Sequence, residues 1–182
     1  YPMPLRAGNG FLPDLKAIPE EIARRAKLLW IGYPNNPTGA LATAEFFAEV
    51  VAFAERNNVI VAHDNAYAEL GFDGYEPPSI LQADGAKECA VELYSMTKSF
   101  SMAGWRVGFV VGNAAVVGAL ARLKSWLDYG TFQPIQIAAI VALNGPQECV
   151  GQTVEIYRTR RDALVDGLNR IGWNLSKPKG TM

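Results

Sequence analysis

The sequence predicts one α/β domain built on a doubly wound, mostly parallel β-sheet flanked by helices. Its 182 residues suffice for one domain with a hydrophobic core and are too few for two full domains. Four short apolar runs alternate with helical patterns, as strands and crossover helices do. Charged residues make up only 19% of the chain, below the usual ~25%, and 17 Gly and 11 Pro suit a well-buried chain with many short turns.

The apolar runs predict four β-strands. Three of the runs lack an alternation of polar and apolar residues, which is typical of strands that are covered on both faces. The predicted strands are Lys27–Tyr33, Asn58–His63, Ala90–Ser95 and Val107–Val111.

Four longer stretches have helical periodicity, and Thr43 is a suitable N-cap for the first of them. The third is mostly apolar, so we expect it to be internal. The predicted helices are Thr43–Arg56, Ala114–Leu127, Gln133–Leu143 and Gln147–Ile171. We expect packing roles for Trp30, Trp126 and Trp173. We expect a solvated helix face or ion pairs within the subunit for Arg158, Arg160 and Arg161.

Composition and absent motifs exclude several classes of function. The net charge of -1 gives no electrostatic drive toward nucleic acid or an acidic membrane surface. No apolar run approaches the ~20 residues that span a bilayer. His63 is the only histidine and no Cys-x-x-Cys occurs, so we predict no metal site. With only Cys89 and Cys149 and no signal-peptide pattern, we predict a reduced, cytoplasmic setting.

Each of the first three predicted strands ends in a loop that carries polar groups. A turn with two prolines, residues 34–39 (PNNPTG), follows the first strand. Asp64 follows the second strand, with Tyr67 three residues later. Ser95 ends the third strand, with Lys98 three residues later. Ligands of open α/β sheets bind beyond the carboxyl ends of the strands. The sequence therefore predicts one pocket that contains a carboxylate and an amine.

Taken singly, these residues have simpler explanations. Asp64 could cap a helix or form a turn, the 34–39 segment could be a turn and nothing more, and Lys98 could be a solvated surface lysine. Ser95-x-x-Lys98 also matches the acyl-serine pattern of penicillin-binding enzymes. That chemistry needs Ser-Asp-Asn and Lys-Thr-Gly motifs, which the chain lacks.

Taken together, the motifs resemble the class I/II aminotransferases of the pyridoxal-phosphate (PLP) fold-type-I family, and the resemblance covers essentially all 182 residues. The signature segments are 33–39 (YPNNPTG), 63–70 (HDNAYAEL) and 95–109 (SMTKSFSMAGWRVGF). In the last, a lysine with serine three residues before it and arginine eight after it defines the cofactor anchor. Within the family, the chain looks closest to bacterial glutamate–pyruvate (alanine) aminotransferases and LL-diaminopimelate aminotransferases.

The resemblance implies catalytic roles for Lys98, Asp64 and Tyr67. Lys98 would form a Schiff base with PLP and then act as general acid and base at the substrate α-carbon. Asp64 would pair with the pyridine nitrogen and keep it protonated. Tyr67 and Asn36 would donate hydrogen bonds to the phenolic oxygen of the cofactor.

The resemblance also implies a phosphate site made of Ser95, Thr97 and Arg106, with Arg106 as a charge-assisted fork. His63 precedes Asp64 and points away from it if the strand continues, so we interpret His63 as structural. Thr97 is included only as a further phosphate contact.

The reaction implied is transamination between an amino acid and a 2-oxo acid, with alanine or glutamate and pyruvate or 2-oxoglutarate as the favoured pairs. LL-diaminopimelate or aspartate aminotransferase activity is an alternative. Carbon–sulfur lyases and cyclopropane-forming synthases share the same anchor. An alternative of another class is a PLP-sensing, aminotransferase-like domain of a transcriptional regulator.

Family members are longer at both ends than this chain. We therefore expect a fragment, with residues 1–145 as part of the large PLP-binding domain and residues 146–182 as the interdomain helix and the start of a small domain. We expect this piece to be inactive alone. The family's active sites lie between subunits, so the resemblance implies a homodimer for the complete protein.

Overall fold

A four-stranded β-sheet forms the centre of the computed structural model, which describes residues 1–182. Its strands are β1 (Leu28–Gly32), β2 (Ile60–Asp64), β3 (Ala90–Ser95) and β4 (Gly108–Gly112). They lie in the order β1-β2-β3-β4; the first three are parallel and β4 is antiparallel to β3. The predicted mostly parallel sheet is confirmed, with every strand end within two residues of its predicted position.

Seven α-helices surround or extend from the sheet: α1 (Glu20–Arg25), α2 (Ala44–Asn57), α3 (Ala86–Cys89), α4 (Met96–Ser99), α5 (Ala114–Leu127), α6 (Gln133–Asn144) and α7 (Glu148–Arg170). The four predicted helices are all present. Helices α1, α3 and α4 were not predicted, because segments of four to six residues are too short to show a helical period. None of the helices combines the length and hydrophobicity that crossing a bilayer requires.

Local sequence determines where α2 begins and ends. The side chain of Thr43 accepts a hydrogen bond from the backbone N–H of Phe46 at 3.2 Å, as an N-cap does. Asn58 ends the helix in the left-handed conformation, which asparagine tolerates better than most residues. Helix α2 thus connects the parallel strands β1 and β2 and packs over one face of the sheet.

The main core lies between α2 and that face. Leu29 pairs in register with Val61, and both are buried against Phe47 and Val50 of α2, which are 1% and 0% exposed. Each such side chain contributes about 1.5–3 kcal/mol on burial. This core fixes the separation of β1 and β2, and with it the positions of the loops at their carboxyl ends.

The expectation that the third predicted helix is internal is wrong within this chain. Only Ala139 of α6 is buried, in a small cluster with Met96 and Met102, while Ile140 and Val141 are 58% and 65% exposed. The second face of β1 is likewise open. Trp30, Trp126 and Trp173 are 55%, 83% and 59% exposed and have no packing role among these residues. The physical reason is that no part of this chain covers these apolar faces.

Two arginines of α7, Arg158 and Arg161, form ion pairs within the chain, which is one of the two arrangements expected for them; Arg160 forms none and lies over the Tyr157 ring. Arg161 makes a two-pronged contact with the Asp73 carboxylate at 2.7 and 3.1 Å and also donates to the Pro178 carbonyl at 2.9 Å. Arg158 pairs with Glu155 at 2.6 Å. The hydrogen bond from Arg161 holds the pKa of Asp73 below its ordinary value. These contacts attach α7 to the loop that follows β2.

Candidate active site at the carboxyl end of the sheet

The loops after β1, β2 and β3 meet at one edge of the sheet, because the three strands are parallel. The side-chain amide of Asn36 donates to the Tyr67 hydroxyl at 3.1 Å, across 31 residues of sequence. The Lys98 amine lies 5.6 Å from the centre of the Tyr67 ring. The structure thus brings Asn36 of the first loop and Lys98 of the third next to Tyr67 of the second, which is itself buried.

The turn that carries Asn36 is closed by its own hydrogen bonds. The Asn35 backbone N–H donates to the Ala40 carbonyl at 2.8 Å, and the Thr38 hydroxyl donates to the Asn35 side chain at 2.7 Å. Asn35 also donates to the Gly32 carbonyl at 3.1 Å. None of these bonds uses the side chain of Asn36, which is exposed and donates to Tyr67.

Asp64 is the last residue of β2 and its side chain is exposed. The neighbouring residue on β1 is Gly32, where a Cβ atom would lie 3.4 Å from the Cβ of Asp64. The carboxylate accepts one hydrogen bond, from the Ala66 backbone N–H at 3.3 Å. A glycine at this position therefore keeps the space beside Asp64 open for a ligand.

Ser95 ends β3 and begins α4, the short helix that contains Lys98. The Ser95 hydroxyl accepts a hydrogen bond from the Thr97 backbone N–H at 3.2 Å, as an N-cap does. Ser95, Thr97 and Lys98 are all half-buried. The cap orients the first turn of α4, so that Lys98 faces the Tyr67 ring while Ser95 and Thr97 stay at the amino end of the turn.

Arg106 occupies an unusual backbone conformation between α4 and β4. Its φ angle is 51°, in the left-handed region that a non-glycine residue adopts at some cost. The exposed guanidinium makes one side-chain hydrogen bond, to the Ala103 carbonyl at 3.0 Å. Because that partner is a neutral carbonyl, the positive charge is available to an anion.

A groove of about 950 Å³ runs along the open side of β1 to the carboxyl end of the sheet. Asn36, Asp64 and Tyr67 line it together with Gly32 and the exposed ring of Trp30. The other predicted residues, Ser95, Thr97, Lys98 and Arg106, do not line this groove. The seven predicted residues therefore do not line one enclosed cavity.

Comparison with known proteins decides which family has this arrangement. The family model for class I and II aminotransferases matches residues 1–182, the whole chain. The chain belongs to the class I/II aminotransferase family. It is 58% identical over 181 residues to the LL-diaminopimelate aminotransferase of Desulforudis audaxviator and 56% identical to that of Moorella thermoacetica. It spans about half the length of these relatives, 46% in each case, although 100% of the chain is aligned.

The aminotransferase fold is equally clear in three dimensions. Substrate-bound BacF from Bacillus subtilis superimposes with a TM-score of 0.95 at 42% identity, covering 100% of this chain and 46% of that one. The family depends on PLP. A PLP molecule carries a carbonyl carbon, a phenolic oxygen, a pyridine nitrogen and a phosphate. The residues around Tyr67 include an amine, two hydrogen-bond donors, a carboxylate and a guanidinium, so the donor set of this chain fits each of those groups.

Sequence reasoning missed a buried polar network directly behind the candidate site. His63 and Glu92 face each other on β2 and β3, on the side of the sheet that packs against α2. Ser79, in the loop between those strands, joins them by donating to Glu92 at 2.8 Å. A lone glutamate within the apolar run of β3 was the available signal, because a buried carboxylate needs a partner.

Proposed function

We propose that the complete protein is a PLP-dependent aminotransferase, and that Lys98 is the residue that bonds to the cofactor. The observation that carries this proposal is the position of the Lys98 amine, 5.6 Å from the ring of Tyr67, whose hydroxyl is hydrogen-bonded to Asn36. An amine beside a phenol and an amide suits a carbonyl carbon next to a phenolic oxygen. Family membership over residues 1–182 supports the same proposal.

Lys98 is proposed to move the proton. When bound, PLP supplies the electron sink that makes removal of a substrate α-proton feasible. Lys98 would take that proton from the α-carbon and return it to the adjacent cofactor carbon, which requires an amine on a short and well-oriented segment. The capped turn of α4 supplies that orientation.

Asp64, Tyr67 and Asn36 are proposed to orient the ring. Asp64 would accept a hydrogen bond from a protonated ring nitrogen and keep it protonated, which strengthens the electron sink. Its position at the end of a central strand suits this role, because rigid elements hold such groups more accurately than loops do. Tyr67 and Asn36 would donate to the phenolic oxygen on the opposite edge.

Ser95, Thr97 and Arg106 are proposed to bind the phosphate. Arg106 has no acidic partner for its guanidinium, which makes a charge-assisted bond to phosphate available. Ser95 and Thr97 would add a hydroxyl each at the first turn of α4. Thr97 is the least supported of the three, because its side chain makes no contact that orients it toward the others.

For the substrate we propose LL-diaminopimelate, since both relatives described above carry that name at 56–58% identity. Transamination between alanine or glutamate and a 2-oxo acid, which the sequence analysis favoured, stays a prediction, because the names of these relatives do not support it. The PLP-sensing domain of a transcriptional regulator also stays a prediction. The domain division at residues 145 and 146, the homodimer and the cytoplasmic location also stay predictions. The residues that grip the substrate carboxylate are expected outside this chain.

Two experiments on the complete protein test the proposal. Borohydride reduction in the presence of PLP should attach a pyridoxyl group to Lys98, detected by mass spectrometry of its peptide. Labelling of another lysine, or of none, would contradict the assignment. Lys124 of α5, whose amine is paired with Asp128, is the internal control.

The second experiment tests the substrate. A half-reaction panel with LL-diaminopimelate, alanine, glutamate and aspartate should give the highest kcat/KM with LL-diaminopimelate.

A further inference from the structure

The side chain of His63 connects the ends of two strands beneath the proposed cofactor site. It is 0% exposed and stands opposite Glu92 in the register of β2 and β3. Its Nδ1 lies 3.1 Å from the Glu92 Oε2, and its Nε2 lies 2.9 Å from the Tyr33 carbonyl oxygen. The ring also packs against Phe47 of α2, with 4.7 Å between ring centres. Both ring nitrogens are therefore engaged.

The partners of Glu92 determine which groups donate. Its Oε2 also accepts hydrogen bonds from the Ser79 hydroxyl at 2.8 Å and the Ile80 backbone N–H at 3.1 Å. Three contacts to one oxygen suit an ionised carboxylate, because the OH oxygen of a protonated carboxyl group is a poor acceptor. The Nδ1 of His63 therefore donates to Glu92. The Nε2 donates as well, because it faces a carbonyl oxygen, which can only accept.

The same conclusion follows from the electrostatics of Glu92. Burial raises the pKa of this carboxyl, but hydrogen bonds from its neighbours, His63 foremost, outweigh burial and hold the pKa below its ordinary value. The network thus holds a buried carboxylate whose lone pairs are occupied by hydrogen-bond donors, which is the arrangement that a buried charge needs to be stable.

The hydrogen bond to Tyr33 lies where the β1–β2 ladder has ended. The last residue pair of that ladder is Gly32 with Asp64, so the Tyr33 carbonyl points beyond it. The His63 side chain supplies the next connection between the two strands. Tyr33 directly precedes the turn that carries Asn36, and His63 directly precedes Asp64.

Hydrogen bonds between Asn35, Thr38 and Ala40 close that turn internally. Its position relative to β2 then depends on two side-chain ties. One is the bond from Asn36 to Tyr67 on the site side, and the other is the bond from His63 to the Tyr33 carbonyl on the core side.

We infer that His63 is a positioning residue, which ties the base of the Asn36 turn to β2 through its Nε2–H and so sets the separation of Asn36 and Asp64. This inference rests on the proposed function, since Asn36 and Asp64 are the groups proposed to bind opposite edges of the cofactor ring. Glu92 supports this role, because its hydrogen bond to Nδ1 fixes the orientation of the imidazole from the β3 side.

Two substitutions distinguish the hydrogen bond of His63 to Glu92 from its hydrogen bond to Tyr33. An asparagine amide reaches about as far as Nδ1, whereas a glutamine amide reaches about as far as Nε2. His63→Gln therefore keeps the tie to Tyr33, and His63→Asn keeps only the contact to Glu92. Phe47→Leu is the control, because it removes packing from the same ring without removing either hydrogen bond.

The measurements are the Kd of PLP and the absorption maximum of bound PLP, at one fixed pH, for the complete protein. We expect His63→Asn to weaken PLP binding about tenfold and to shift the absorption maximum. His63→Gln should stay within about twofold of the wild type, and so should Phe47→Leu, although each lowers the melting temperature. Equal Kd values for the two His63 variants, or a Phe47→Leu effect as large as that of His63→Asn, would overturn the positioning role. A wild type that binds no PLP would refute the proposed function itself.

A second measurement is made on the wild type. Nitrogen-15 NMR of the histidine-labelled wild type, with the His63 signal assigned by comparison with His63→Gln, reports whether each ring nitrogen carries a proton. We expect a proton on Nε2, the nitrogen that faces the Tyr33 carbonyl. A bare Nε2 would contradict the hydrogen bond to Tyr33.

Discussion

The amide of Asn36 is hydrogen-bonded to the hydroxyl of Tyr67, 31 residues later, at 3.1 Å. The two side chains leave different strands, so their meeting depends on the fixed separation of β1 and β2. That separation comes from the core between the sheet and α2, and the site is therefore assembled by the packing of residues that never touch it.

The first prediction concerns this pair. We expect Asn36→Ala and Tyr67→Phe each to weaken PLP binding about tenfold, because each removes a donor proposed for the phenolic oxygen. The double variant should lose less than the sum, with a coupling of about 0.5–1.5 kcal/mol, since the two side chains also bind each other. Titration with PLP measures all four proteins. Strict additivity would mean that the Asn36–Tyr67 bond does not help to position either group.

Asp64 is expected to matter for catalysis and little for folding. Its side chain is exposed, so Asp64→Asn should leave the melting temperature nearly unchanged. The half-reaction with an amino acid should slow at least about 100-fold, as expected when a charge that stabilises the transition state is lost. Glu69→Gln, an exposed carboxylate in the same loop, is the control. Stopped-flow absorbance measures the rate, and an unchanged rate would contradict the proposed pairing with the ring nitrogen.

Gly32 is expected to control access to Asp64. A Cβ at this position meets the Cβ of Asp64 at 3.4 Å, an ordinary contact, but a longer side chain would fill the space beside the carboxylate. We therefore expect Gly32→Ala to bind PLP within about threefold of the wild type, and Gly32→Leu to bind it at least tenfold more weakly. Equal affinities for the two variants, measured by PLP titration, would show that this space is not used.

Local patterns allowed much of the site to be predicted. Apolar runs define the strands, and parallel strands bring their carboxyl-end loops together, so the proximity of Asn36, Tyr67 and Lys98 follows from sequence. The short helix α4, which contains Lys98, was not predicted.

Contacts between distant residues could not be predicted in this way. His63 and Glu92 are 29 residues apart, and only the register of β2 and β3 makes them neighbours. The contact of Arg161 with Asp73 spans 88 residues. The exposure of α6 was missed for a different reason, because hydrophobicity predicts that a helix face will be covered but does not identify what covers it.

The Arg161–Asp73 pair predicts a pH-dependent contribution to stability. The pKa of Asp73 is lowered in the folded state, chiefly by the hydrogen bond from Arg161, relative to the ordinary value of about 3.9. A lowered folded-state pKa means that the stabilisation is present above pH ~4 and is lost as the pH falls through the folded-state value. The unfolding free energy of the wild type should therefore exceed that of Asp73→Asn by a constant amount from pH 7 to 5.

That difference should shrink below about pH 4, as measured by urea unfolding of the complete protein. Asp84→Asn, at an exposed aspartate outside the ion pairs of α7, should show no such pattern. A difference between wild type and Asp73→Asn that persists unchanged at pH 3 would contradict the assigned role of the pair.

The last prediction concerns the aromatic patch formed by Trp126, Tyr129 and Phe132 at the junction of α5 and α6. These side chains are 83%, 92% and 71% exposed within seven residues of sequence. Large exposed apolar side chains that come this close together in the chain favour contact with another protein surface. We expect the patch to lie in the proposed homodimer interface, where aromatic residues contribute about 2 kcal/mol or more each.

Trp126→Asp combined with Tyr129→Asp should therefore weaken dimerisation of the complete protein at least 100-fold. Arg24→Asp on α1 is the control for an added negative charge. Sedimentation velocity measures the oligomeric state. A double variant that is still dimeric at concentrations where the wild type is dimeric would show that this patch is covered by another part of the same subunit.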